Sequence, residues 1–392
     1  MTSNSFCPIA SKSSARTPFI ASLTAIICGL IFGFIILLIA NPKEAFDGFG
    51  TILTGSLTHG MKGIGDVFYY ATPLILCGLS VGFAFKTGLF NIGGSGQFLM
   101  GAFGGVLVGL TCKSLGPVQW VVALLVAILF GAIWGAIPGI LKAYFNVNEV
   151  ITCIMLNYIA LFWVNMTILG NSVLYNQLRN ESADVPRAAT VPKLYLDKLF
   201  ANVSIKGGKE VIQSSSVNSG IIIAILAAVL LYIVLEKTTF GYELKACGLN
   251  KIASRYAGIN ENSSIVYSMV IAGAVAGLAG GIMLLSGTGR HIEIKDAIPT
   301  EGFNGISVAL LGVSNPLGII FSGTFIAYLT AGGFYLQKFN FSKEIIDIII
   351  AIIIYFSAFA LIIKKVIAKI KKKHEKATVV EDNKSVKERG IK

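Results

Sequence analysis

Charged residues are scarce in this 392-residue chain, 13% against 54% hydrophobic, and the mean hydropathy is +0.75. A soluble domain carries about 25% charged residues, so a water-soluble globular fold is excluded. Histidine is almost missing. His59, His291 and His374 are isolated from one another, which argues against a membrane-embedded enzyme built on a convergent His/Asp/Glu set. The cysteines (Cys7, Cys28, Cys77, Cys112, Cys153 and Cys247) include no CxxC pair. Neither a disulfide framework nor a metal site is expected. No GxxxxGK[ST] loop occurs. Lys209 follows Gly207 and Gly208 but lacks the upstream glycine and the following Ser/Thr, so an ATP-hydrolysing site is absent from the pattern. Acids and bases are also rare in the middle of the apolar runs, which disfavours an ion-coupled secondary transporter.

The apolar runs are long enough to cross a hydrocarbon core, which takes roughly 20 helical residues. Ten crossings are expected, at 19–40, 67–85, 93–112, 118–141, 150–170, 217–235, 264–285, 300–313, 317–337 and 344–364. The eighth is short and glycine-broken, and re-entry is its alternative. The first run is too long for a signal-peptide core. The fold class is an all-α polytopic membrane protein in two inverted five-helix halves, with broken helices near the pathway. The expected layout is a cytoplasmic N-terminus (1–18), a membrane domain (19–364) and a basic cytoplasmic tail (365–392). An external stretch covers 171–216, and a cytoplasmic loop covers 236–263. Lys364 to Lys392 hold eleven Lys/Arg against four Asp/Glu, so +7 of the net +12 lies in the tail. Such a run beside a span marks the inside and favours anionic lipid over nucleic acid.

Two apolar segments are interrupted by glycine and amides at matching places, FNIGGSGQFLMGAFGG (90–105) and GFNGISVALLGVSNPLG (302–318). Broken segments in corresponding positions of two halves point to a transport pathway. Backbone that leaves the helix at membrane depth must be buried in protein or line a cavity. Close packing through small residues is the alternative. Asn91, Gln97, Asn157 and Asn304 are neutral polar groups in or near these runs. As amides they offer both donors and acceptors, which suits a neutral polar solute; interhelical hydrogen bonding is the alternative. Glu149 reads as a helix-start charge. Asp347 is an acid in an apolar stretch near one end of the last span.

The 236–263 loop contains ELKACGLNKIASRYAGIN, two short helical pieces around Gly248–Leu249–Asn250. Its apolar and basic residues suit a groove in a partner. This stretch resembles the coupling loop of ATP-binding-cassette importer permeases, with Gly248, Asn250, Ala253, Arg255, Gly258 and Ile259 at matching positions. FNIGGSGQFLMGA (90–102), VNEVITCIMLNYIA (147–160) and GFNGISVALLGVSNPLG follow the same family in order. Together, over residues 65 to 365, they are similar to the branched-chain amino-acid and simple-sugar permease superfamily, and within it to nucleoside-type subunits.

The resemblance implies a membrane permease subunit that moves nucleosides by alternating access. ATP is bound and hydrolysed by separate cytoplasmic ATPase subunits, which Gly248, Asn250, Arg255 and Gly258 would contact. It further implies a second permease subunit, identical or homologous, an external solute-binding lipoprotein, and the plasma membrane of a bacterium with both termini cytoplasmic. The chain itself is expected to bind no cofactor. A permease for ribose or another simple sugar is the alternative within the class.

Overall fold

A computed structural model describes residues 16–206, 209–339 and 341–358. The basic tail 365–392, the end of the tenth expected crossing and most of the 1–18 stretch lie outside the described residues. In chain order the helices begin with α1 (Arg16–Ala40), α2 (Ala45–Thr58), α3 (Gly60–Lys86), α4 (Gly94–Thr111), α5 (Gln119–Phe145) and α6 (Glu149–Leu169). A largely irregular stretch follows. It holds the hairpin β1 (Tyr175–Asn176)–β2 (Glu181–Ser182), the single turn α7 (Leu196–Leu199) and the hairpin β3 (Asn202–Lys206)–β4 (Lys209–Gln213). The remainder is α8 (Gly220–Lys237), α9 (Thr239–Leu249), α10 (Lys251–Tyr256), α11 (Glu261–Leu284), α12 (Glu301–Leu311), α13 (Pro316–Phe334) and α14 (Lys343–Ala358).

Seven helices among the described residues are long and apolar enough to cross a membrane: α3, α4, α5, α6, α8, α11 and α13. The chain is a helical, multi-pass membrane protein. α1 adds a shorter apolar stretch, Ile27–Ala40. α12, where the eighth crossing is expected, has 11 residues. At 1.5 Å per residue it spans about 16 Å, half of a hydrocarbon core of about 30 Å. Residues 300–313 therefore do not cross as a helix. α2 is an addition that the apolar runs did not indicate, and its Gly48 packs against Leu336 and Phe341.

The glycines of 93–105 do not interrupt a helix. α4 is continuous from Gly94, and the break lies before it, at 87–93. Inside α4 the glycines serve packing. A Cβ on Gly101 would strike the backbone of Gly277, and one on Gly96 would lie 2.7 Å from Asn157 Oδ1. α5 and α11 meet in the same way: a Cβ on Gly131 would lie 2.7 Å from Cα of Gly277, and one on Gly135 would lie 3.0 Å from Cα of Gly273. Small residues let helix backbones approach closely where lipid offers no hydrophobic drive.

α3 is the hub, with α2, α8, α11, α12 and α13 packed around it. α11 runs antiparallel to it. Tyr69, in the first half of α3, reaches Ser286 just past the end of α11, while Ala84 shares a buried cluster with Ile265 near the start of α11. α4 runs parallel to α11 but starts late. Its eighth residue, Gly101, packs on Gly277, the seventeenth residue of α11, so α4 begins about 13 Å along α11. α12 is likewise a half-length partner of α3. Its fifth residue, Gly305, lies against Cys77, the eighteenth of α3, at 2.7 Å for a Cβ. The two late-starting helices point in opposite directions and meet at their N-termini. A Cβ on Gly302 would lie 2.5 Å from both Cα and Oγ of Ser95.

After α12 the chain turns through Val313 and Ser314, both with positive φ. Asn315 then caps α13, its Oδ1 accepting from the N–H of Leu317 at 3.0 Å, with Pro316 in the first helical position. An Asn cap followed by Pro starts a helix sharply, because the proline nitrogen needs no partner there and its φ is already helical.

Candidate functional site

The coil 87–93 carries polar backbone into the interior, and three of the four expected amides answer it. Asn157, delivered by α6, accepts from the N–H of Gly96 at 2.8 Å and donates to the carbonyl of Ile92 at 3.2 Å. Asn91 donates to Gln97 Oε1 at 2.9 Å, and Gln97 donates back to Asn91 Oδ1 at 3.2 Å. The N–H of Gly93 also donates to Asn91 Oδ1, at 3.2 Å. All three side chains are 1% exposed. The first N–H groups of any helix lack intrahelical partners, and here a buried amide knot supplies one of them.

Asn304 stands apart from this knot. It lines a cavity of about 360 Å³ between α3, α11, α12, α13 and α14, within the range of about 300–1,000 Å³ typical of small-molecule sites. Its walls combine apolar and polar groups: Tyr69, Tyr70, Arg290, Glu301, Asn304 and Asp347. The ring of Tyr70 stacks on Phe334, with centroids 5.2 Å apart and planes 26° apart. The floor is the start of α12, at the meeting of the two late-starting helices. The site thus offers two carboxylates and an amide for hydroxyls and ring edges, and an aromatic pair for a planar group.

Asp347 reaches the cavity from α14. Glu149 does not; it begins α6 and pairs with Lys142 at 2.8 Å. Phe83, Phe98 and Phe103 are buried in packing clusters, and Trp163 meets Phe103 edge-on at 5.4 Å. Glu301, Arg290 and the Tyr70–Phe334 pair escaped the sequence reading. Glu301 had an available signal, since it directly precedes the broken GFNG segment. Arg290 and Phe334 belong to segments distant in sequence, and folding alone brings them together.

The α9–α10 loop is locally well specified. Thr238 caps α9 by accepting from the N–H of Gly241 at 3.1 Å, and Asn250 caps α10 by accepting from Ala253 at 3.1 Å. Gly258, at φ +81°, closes α10, and the N–H of Ile259 returns to the carbonyl of Ser254 at 3.0 Å. Only glycine holds that left-handed conformation without steric cost. Leu244 and Cys247 face the body of the protein, whereas Leu249, Ile252 and Tyr256 are exposed, together with Arg255. Gly248 packs backbone to backbone against Thr87–Gly88, the turn where α3 ends and the coil 87–93 begins. The loop therefore touches the segment that the amide knot secures.

The 171–216 stretch covers the opposite end. Ser182 N–H donates to the carbonyl of Ile292 at 2.9 Å, which ties the first hairpin to the 285–300 coil. Ser216 N–H donates to Asp66 Oδ1 at 3.0 Å.

The chain is similar to named transport proteins over nearly its full length. It is 38% identical over 352 residues to the guanosine ABC transporter permease protein NupP of Bacillus subtilis (strain 168), covering 90% of this chain and 96% of that protein. It is 35% identical to the nucleoside ABC transporter permease protein NupB of Lactococcus lactis subsp. cremoris (strain MG1363), covering 89% and 93%. It is 32% identical to the glucose ABC transporter permease protein TsgB13 of Haloferax volcanii, covering 87% and 86%. No solved structure matches it. Residues 63–358 match the family described as branched-chain amino acid transport system / permease component, and the chain belongs to that family.

Proposed function

We propose that this protein is the membrane permease subunit of an ATP-driven importer and moves nucleosides by alternating access through the α3–α11–α12–α13–α14 cavity. One observation carries the assignment of the cavity: Asn304, in a broken segment, opens onto a chamber of small-molecule size beside two carboxylates and a stacked aromatic pair. Carboxylates and an amide suit ribose hydroxyls and base edges, and the aromatic pair suits a flat base. The two relatives named for guanosine and nucleosides support this solute class. The relative named for glucose, at 32% identity, keeps a simple sugar as the second reading.

In this reading the α9–α10 loop and both termini face the cytoplasm of a bacterium, and the protein sits in its plasma membrane. Separate ATPase subunits hold and hydrolyse ATP and dock on the loop at Gly248, Asn250, Arg255 and Gly258, beside the exposed Leu249, Ile252 and Tyr256. A second permease subunit completes the channel, and a solute-binding lipoprotein docks on the 171–216 hairpins outside. The head-to-head meeting of α4 and α12 supports two inverted halves of five membrane segments each, with α12 and the coil before it jointly making one crossing. ATP-driven closure of the partners shifts the pathway only by binding one state better than the other.

The test is uptake of labelled uridine, adenosine, guanosine and ribose by cells with and without this subunit. Loss of nucleoside uptake alone is the expected result. Loss of ribose uptake alone would move the protein to the sugar branch and sink the nucleoside reading.

A further inference from the structure

A second cavity, of about 460 Å³, lies beyond the first, under the 171–216 stretch. It is lined by Asp184, Arg187, Lys193, Gly287 and His291 among others, and Arg290 is on the walls of both cavities. Arg290 therefore belongs to the wall that the two cavities share.

The chain is shaped to hold it there. Arg290 follows Ser286–Gly287–Thr288–Gly289, in which Gly287 and Gly289 have φ of +70° and +73°. Two left-handed residues make the backbone switch direction on either side of Thr288. Thr288 is pinned between them: its hydroxyl is 2.8 Å from the Tyr69 hydroxyl and 2.7 Å from that of Ser286. The guanidinium carbon then lies 5.6 Å from the ring centre of Tyr69 and 5.7 Å from that of Tyr70. Its Nη1 points at the sulfur of Met283, 3.6 Å away.

These partners are all neutral. Aromatic faces and a thioether orient a guanidinium without cancelling its charge. Among the described residues Arg290 forms no salt bridge. The nearby acid Asp184 lies against His291 instead, with 3.3 Å between Oδ1 and Nε2. Glu301 and Asp347 line the inner cavity. A fixed guanidinium in no ion pair, on a wall common to two cavities, sets an electrostatic barrier for solutes of the same sign.

We propose that Arg290 is the selectivity gate between the outer chamber and the transport cavity, rejecting cationic solutes while neutral and anionic ones pass. This rests on the reading of the inner cavity as the solute site. It does not depend on which neutral solute is carried.

The test places a reporter inside the gate and needs no transport. Asn304→Cys is made in the full chain, alone and together with Arg290→Gln or Arg290→Lys. Intact cells are treated from outside with an anionic sulfonatoethyl or a cationic trimethylammonium methanethiosulfonate. Modification is read by mass spectrometry of the peptide carrying position 304, so the native cysteines do not interfere. With Arg290 the anionic reagent is expected to win. Arg290→Gln should shift the ratio of rates toward the cation by on the order of tenfold, and Arg290→Lys should keep it near the parent. An unchanged ratio in Arg290→Gln would overturn the gate, and so would a position 304 that neither reagent reaches in any variant. Failure of the nucleoside reading would appear separately, as absent nucleoside uptake by the unaltered protein.

Discussion

Gly88 and Gly248 touch backbone to backbone. A Cβ on Gly88, where φ is +76°, would lie 2.5 Å from Cα of Gly248. A Cβ on Gly248 would lie 2.5 Å from the carbonyl carbon of Thr87. No side chain intervenes to absorb a push from one to the other. The α9–α10 loop is thus in rigid contact with the turn that leads into the 87–93 coil.

Gly248→Leu should therefore separate ATP hydrolysis from transport. Forcing the loop off the turn is expected to lower uptake by about 5–150-fold, the span of typical coupling energies. Hydrolysis by the partner subunits should persist. Uptake and phosphate release measured on the same reconstituted vesicles check this, and a parallel fall of both would contradict it.

The amides should divide into two behaviours. Asn157→Ala leaves the N–H of Gly96 and the carbonyl of Ile92 buried without their partner, at a cost of about 1–3 kcal/mol. The purified variant should melt at a lower temperature. Asn304→Ala breaks no such network and should keep its stability within about 0.5 kcal/mol while raising the KM for solute. Thermal unfolding in detergent and uptake kinetics separate the two outcomes. A stable Asn157→Ala variant would mean that the knot matters less than its geometry implies.

Gly302→Val should damage the meeting of α4 and α12. The new side chain would press on the backbone and hydroxyl of Ser95. Overpacking of this kind costs about 1–3 kcal/mol. Reduced thermal stability is expected, with Gly302→Ala milder than Gly302→Val.

Gly258→Val tests the loop locally. Position 258 has open space around it, so the strain comes from its φ of +81° alone. Left-handed backbone costs a residue with a Cβ about 1–2 kcal/mol. Hydrogen exchange of the amides at 251–256 should quicken, while that of α11 beyond its first turn stays as it was.

The apolar runs made the membrane class and most helices legible, because an 18- to 27-residue helix in lipid needs a continuous apolar composition. The order of motifs made the family legible. Depth was another matter. Asn91 and Asn304 open similar Phe-Asn motifs, yet one is locked in a hydrogen-bond knot and the other faces a cavity. Residue type alone does not distinguish these fates, since an amide satisfies a backbone and a solute with the same atoms. The glycines of 93–105 misled in a related way. They permit close approach, and only the neighbour, here Gly277 or Asn157, decides whether that means a break or a contact. α2 was hidden because its 14 residues lie against the bundle without crossing it. Arg290 was hidden because its role depends on Tyr69 and Tyr70, more than 200 residues earlier.

The glycine seam between α5 and α11 also governs what can move. Side chains on ordinary helices act as teeth that can disengage and re-mesh one notch along. Gly131, Gly135, Gly273 and Gly277 leave no teeth, only main chain pressed on main chain. Sliding by one residue would drive a bulkier neighbour into a backbone with no room for it. The pair is a welded slab, and α10 joins it through the short 257–260 link. A tug on the α9–α10 loop is therefore expected to arrive at the slab undivided and to tilt it as a single lever against α3 and α4.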